Sequence, residues 1–112
     1  MMFERDEYSV TCSPGDETAV LRGVMRLATP AAYEKVFAPL TARAVAGESL
    51  RVDLTNVTFM NSSGIRALAT LVLGAKAHSA PLRLVASEKV PWQKKTVASL
   101  AALSNDLTVE LR

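Results

Sequence analysis

Two adjacent serines, Ser62 and Ser63, stand between Asn61 and Gly64 where a short apolar strand pattern passes through a polar turn into a sequence with helical spacing. Hydroxyls at a helix start have two uses. Either they accept hydrogen bonds from the unpaired N–H groups of the first turn and so cap the helix, or one of them stays open to solvent as an acceptor for phosphate. The position suits the second use as well, because a helix N-terminus carries free N–H groups and a partial positive charge that favour an anion. Asn61, Ser62 and Ser63 all have side chains able to cap. Of the two serines, Ser63 is the better placed as N-cap, its hydroxyl then being occupied by backbone N–H groups, which makes Ser62 the candidate acceptor. Gly64 leaves room for close backbone approach. Arg66, in the first helical turn, is either a contact for a partner or a solvated residue.

The remaining reactive side chains do not assemble into catalytic sets. The single histidine, His78, lies at the far end of the helix that Ser62 begins, more than about 20 Å away at 1.5 Å per residue. No Ser–His dyad forms within one chain at that distance, and no Gly-x-Ser-x-Gly elbow is present. His78 and the single cysteine, Cys12, are too far apart in sequence for a zinc site of ordinary spacing. Gly64 is isolated and belongs to no glycine-rich phosphate loop. Asp53 is expected at the end of a buried strand, where it accepts backbone hydrogen bonds. The chain therefore reads as a substrate and binding partner and not as an enzyme, with no cofactor and no metal. Trp92, after Val90-Pro91, is either a lid over the edge of the core or an exposed anchor for a partner. Lys89, Lys94 and Lys95 around it read as a solvated face, so nucleic acid is not an expected partner.

Periodicity gives the elements that must position these residues. A chain of 112 residues, 49% hydrophobic with a net charge of +2, buries one core, so a single domain over 1–112 is expected, with residues 1–7 as a loose N-terminal segment. That segment contains Glu4, Asp6 and Glu7 and is no secretory signal, and no apolar run approaches the roughly 18 residues of a membrane span. The expected location is the cytoplasm. Cys12 excludes an internal disulfide and fits a small core residue. Residues 8–13 and 18–25 read as a hairpin turned by Pro14-Gly15-Asp16. Thr29 caps a helix begun by Pro30, with Tyr33, Val36, Phe37, Leu40 and Ala44 on its apolar face, a kink or early end at Pro39, and Gly47 as its close. Residues 50–54 form the next strand, with 57–60 in the approach to the turn. The central helix runs from about Ser63 to His78, where Ile65, Leu68, Ala69, Val72 and Ala75 share a face. A buried strand at 82–86, a helix from Pro91 with Val97, Leu100 and Ala101 inward, and a last strand at 107–111 complete the chain. Helices alternating with strands after a hairpin require parallel pairings, so the expectation is an α/β fold, a mixed sheet of about five strands covered by three or more helices.

The run Val52-Asp53-Leu54-Thr55-Asn56-Val57-Thr58-Phe59-Met60-Asn61-Ser62-Ser63-Gly64-Ile65, followed by Leu68, resembles the signature of STAS domains, the fold of bacterial anti-sigma factor antagonists, or anti-anti-sigma factors. The segment Val90-Pro91-Trp92-Gln93-Lys94-Lys95 is similar to that of a subgroup of small bacterial STAS regulators, which combine Asn-Ser-Ser-Gly with a Pro-Trp-Gln turn. In the family the junction reads Asp-Ser-Ser-Gly, and its first serine is phosphorylated by a GHKL-type anti-sigma kinase. By position that serine is Ser62. Asn61 stands where the family has aspartate, which removes a negative charge beside the acceptor together with any role of that carboxylate in engaging the kinase. The resemblance implies a cytoplasmic partner-switching signalling protein, phosphorylated at Ser62 by such a serine kinase and restored by a Ser/Thr phosphatase. Its partner surface would take in Asn61, Ser62, Ser63, Gly64, Arg66 and Trp92. The alternative is a STAS binding module that is not phosphorylated and takes a nucleotide, a small ligand or an assembly partner, with Asn61-Ser62-Ser63 structural.

Overall fold

A computed structural model of the chain describes residues 2–4, 7–12 and 15–112. Its elements, in order, are β1 (Met2–Glu4), β2 (Tyr8–Cys12), β3 (Thr18–Met25), α1 (Pro30–Val45), β4 (Leu50–Met60), α2 (Ser62–Ala77), β5 (Leu82–Ala86), α3 (Pro91–Ala101) and β6 (Leu107–Leu111). Among the described residues the strands make one mixed sheet in chain order, antiparallel from β1 to β3 and parallel from β3 to β6. The expected hairpin is present, with Tyr8 opposite Gly23 and Cys12 opposite Ala19. Ser13 and Pro14 of its turn lie outside the described residues. One strand more than the expected five is found at the N-terminus, where β1 sets Phe3 opposite Val10. It pairs the row of N–H and C=O groups that β2 would otherwise leave as an open edge.

Each parallel strand is reached through a helix, and the strands follow one another in one direction along the sheet, so crossovers of the usual right hand place the helices on one face. Leu21, Val52, Leu54 and Leu84 from the sheet meet Tyr33, Phe37 and Leu40 from α1, Leu68, Leu71 and Val72 from α2, and Val97 and Leu100 from α3 in a single core. Ala101, expected inward, is exposed at the last residue of α3, and Gln93 and Thr96 are buried at the other end of that helix face. On the opposite side of the sheet three guanidiniums surround one carboxylate. Arg112 is 2.6 Å from Glu110, Arg51 3.5 Å and Arg83 3.7 Å, and Arg112 foremost holds the Glu110 carboxyl below the usual carboxylate range. Among the described residues no helix is long and apolar enough to cross a membrane.

The helix ends follow local chemistry. Thr29 is the N-cap of α1, accepting from Ala32 N at 3.2 Å, with Pro30 next. The helix does not end at Pro39 but continues to Val45. The missing N–H there frees the carbonyl of Lys35, an exposed residue whose backbone water can satisfy. Gly47, at φ 74°, closes the helix as expected, with Gly47 N bonded to Ala44 O and Glu48 N to Arg43 O, the paired bonds of a Schellman motif. The end of α2 repeats the pattern with a serine in the glycine position. Ser79 has φ 55°, with its N–H on Lys76 O and that of Ala80 on Ala75 O. A side chain in this left-handed region costs about 1 kcal/mol or more, so Ser79→Gly is expected to stabilise the protein by roughly 0.5–1 kcal/mol. Urea unfolding of the variant against the parent checks this, and an unchanged midpoint would contradict it.

Candidate functional site

The site grows from an overhang. β4 extends through Met60, beyond the regular strand expected to Leu54; β5 pairs with it only from Leu50 to Asp53, whereas β3 follows it to Met60. From Thr55 onward its β5 side is therefore a bare edge, and the start of α3 fills that edge with side chains. Gln93, wholly buried, donates through Nε2 to Val57 O (2.8 Å) and Thr55 O (3.4 Å) and accepts from Ser87 N (2.8 Å). Trp92 donates through Nε1 to Val57 O (3.2 Å) and Thr58 O (3.1 Å), its half-buried ring packed against the core. Trp92 thus lies as a lid along β4. Asp53 is mid-strand and not at a strand end, its carboxylate accepting from Thr55 N (2.9 Å) and Thr55 Oγ1 (2.6 Å).

The overhang delivers the chain to Asn61, whose backbone is extended (φ −76°, ψ 172°) and whose Oδ1 accepts from Gly64 N at 3.0 Å. Asn61 is the N-cap of α2, and Ser63 is not, contrary to the sequence expectation. A cap needs non-helical backbone, and both serines already lie within the helix, Ser62 first and Ser63 second. Among the described residues neither hydroxyl has a hydrogen-bond partner. Ser62 is exposed, whereas Ser63 is half-buried. Ser63 lines an apolar groove of about 130 Å³ between α1 and α2, together with Phe37, Arg66, Leu71 and Gly74. Gly64 is buried, and what approaches it closely is not backbone: a Cβ there would lie 2.5 Å from Met60 Cγ and 2.7 Å from Tyr33 Oη. Arg66 is exposed in the first turn and ion-paired to no carboxylate among the described residues.

The arrangement can accept an anion at the start of α2. Ser62 stands beside free N–H groups at the positive end of α2, with a neutral amide before it and a guanidinium one turn on. His78 is no base for it, being the C-cap of the same helix, exposed, with Nδ1 3.0 Å from Gly74 O. Among the described residues no group of three His, Cys, Asp or Glu side chains could hold a metal ion. Sequence reasoning missed three residues near the turn. Tyr33 reads in the sequence only as an apolar-face residue, Gln93 carries no signal beyond its place in the Pro-Trp-Gln run, and Phe59, two residues before Asn61, is 47% exposed with nothing in its strand spacing to mark it.

Residues 25–109, which take in the end of β3, all three helices and the cap turn, match the family model described as the STAS domain. The fold is similar to that of the Bacillus cell fate determinant SpoIIAA, solved in its phosphorylated form, with a TM-score of 0.56 at 18% identity over 91% of this chain and 89% of that one. No curated protein matches the chain. The family model spans well over half of the sequence, and the chain belongs to the STAS domain family.

Proposed function

We propose that this protein is a partner-switching regulator of the anti-sigma factor antagonist type, phosphorylated on Ser62 by a GHKL-type serine kinase and dephosphorylated by a Ser/Thr phosphatase. The observation that carries the reading is the division of labour at the turn. Asn61 does the capping, so the exposed Ser62 hydroxyl is spare, at the end of a helix that favours an anion. The similar SpoIIAA, solved in a phosphorylated form, adds support. A phosphate on Ser62 adds about −1.5 to −2 charge to a surface that includes the exposed Arg66, which changes its fit to any docked protein. The partner surface comprises the turn from Asn61 to Gly64 and Arg66, with Trp92 behind it as the support of β4. The protein acts in the bacterial cytoplasm as a substrate and binding partner and not as an enzyme.

Incubation with ATP and the cognate kinase, followed by phosphopeptide mapping, is expected to place one phosphate on Ser62. Ser62→Ala should abolish it without loss of the fold. Phosphate on Ser63 alone, or none on either serine, would overturn the assignment. A second reading is favoured by the groove between α1 and α2: a STAS module that is not phosphorylated and takes a small apolar ligand between Phe37, Leu71 and Gly74. Saturable ligand binding with no kinase dependence would mark that reading.

A further inference from the structure

Tyr33 has no exposed surface, yet its hydroxyl belongs to a closed ring of hydrogen bonds. Leu27 N donates to Tyr33 Oη at 3.4 Å, Tyr33 Oη donates to Asn61 Oδ1 at 2.7 Å, and Asn61 Nδ2 returns to Leu27 O at 3.0 Å. The proton order is forced. A backbone N–H can only donate, so the tyrosine's own proton must go to Asn61, where it needs an oxygen; a carbonyl can only accept, so Asn61 must turn its NH₂ group to Leu27. The same Oδ1 takes the proton of Gly64 N. Burial pushes the Tyr33 phenol up, which keeps it a donor. One ring ties the loop after β3 and the adjoining first turn of α1 to the turn between β4 and α2, which is distant from both in sequence. Ser62 is the next residue along.

We propose that Tyr33 is a positioning residue for Ser62, its hydroxyl holding Asn61 in one rotamer and so setting how the first turn of α2 presents the Ser62 side chain. The consequence for phosphorylation rests on the proposed function; the positioning itself is measurable without a kinase. Ser62→Cys supplies the reporter, alkylated by iodoacetamide and quantified by peptide mass mapping, with Cys12 buried in the core. Amide hydrogen exchange at Gly64 reads the cap directly.

On adding Tyr33→Phe, exchange at Gly64 is expected to rise about tenfold or more and the alkylation rate at position 62 to change about threefold or more, while the amides of Leu84 and Val85 in β5 keep their parent rates. A purely structural role would instead move all amides together and leave the position-62 rate near its parent value. Asn61→Ala should reproduce both local changes, and Tyr33→Phe added to it should do nothing further, because the two side chains act as one unit. In the unsubstituted protein, NMR should show a slowly exchanging Tyr33 hydroxyl proton close to Gly64 N–H, a test that survives if a variant fails to fold. Local rates within twofold of the parent in Tyr33→Phe, or no protected hydroxyl proton in the unsubstituted chain, would overturn the proposal. A Ser62 that never accepts phosphate would remove the proposed function and leave the ring's effect standing, so the two failures are distinguishable.

Discussion

Gly64→Ala is expected to cost about 2–3 kcal/mol, although alanine is the better helix former by roughly 1 kcal/mol. The added Cβ would lie 2.5 Å from Met60 Cγ, 2.7 Å from Tyr33 Oη and 2.9 Å from Tyr33 Cζ. Met60 is flexible enough to yield, but Tyr33 is wholly buried. Its ring sits 5.8 Å from that of Phe37, centroid to centroid, and its hydroxyl is held from both sides. Relief requires moving the ring, which breaks the bond to Asn61 at about 1 kcal/mol and overpacks the site at about 1–3 kcal/mol. Gly74 provides the control within the same helix. Nothing lies within 4 Å of a Cβ built there, so Gly74→Ala should gain up to about 1 kcal/mol from helix propensity alone. Urea midpoints moving in opposite directions for the two substitutions are the expected result; equal midpoints would show that the Tyr33 pocket relaxes at no cost.

The contrast between these glycines marks what the sequence makes legible. Elements whose signals are local came through: Thr29-Pro30 starts α1, Gly47 closes it, and α2 begins one residue from the expected start. The fold class follows, because a hairpin and then three helix–strand alternations leave few other sheets. The identity of the cap is different in kind. Asn61, Ser62 and Ser63 are about equally good caps by type, and the choice falls to Asn61 because Met25 O, Leu27 O and Tyr33 Oη, all far away in sequence, converge on it. The amide has a reason of the same kind. A carboxylate would turn an oxygen toward Leu27 O, where Asn61 now donates, so an amide suits this chain's own loop. Gly64 could be read as a close approach but not as an approach of Tyr33 and Met60. The far half of β4 reads in the sequence as an approach to the turn, and the structure carries the strand through by shifting its register against β3.

The largest unheralded contribution comes from Gln93, and its replacement is expected to be as costly as any in the core. A glutamine in the first turn of an exposed-looking helix ordinarily faces water, yet this one is wholly buried and satisfies Ser87 N, Thr55 O and Val57 O at the overhanging edge. Gln93→Leu keeps the volume and removes the bonds. Ser87 N loses its side-chain acceptor and Thr55 O its side-chain donor, while Val57 O keeps the Trp92 indole. At about 1–3 kcal/mol for a buried group left unsatisfied, a loss of roughly 2–4 kcal/mol is expected. Gln93→Glu should be worse at neutral pH, because an acceptor-only carboxylate would face the carbonyls of Thr55 and Val57. Burial against carbonyls raises the folded-state pKa of such a carboxyl, so the variant's stability is greatest below the unfolded carboxyl pKa and is lost as pH rises through the folded one. Its deficit against the parent should therefore narrow on acidification, whereas that of Gln93→Leu should not follow this titration. Thermal unfolding of both variants between pH 4 and pH 7 reads the difference. A Gln93→Leu protein as stable as the parent would mean that water replaces the glutamine at the edge of β4, and that the strand leading to Ser62 does not depend on it.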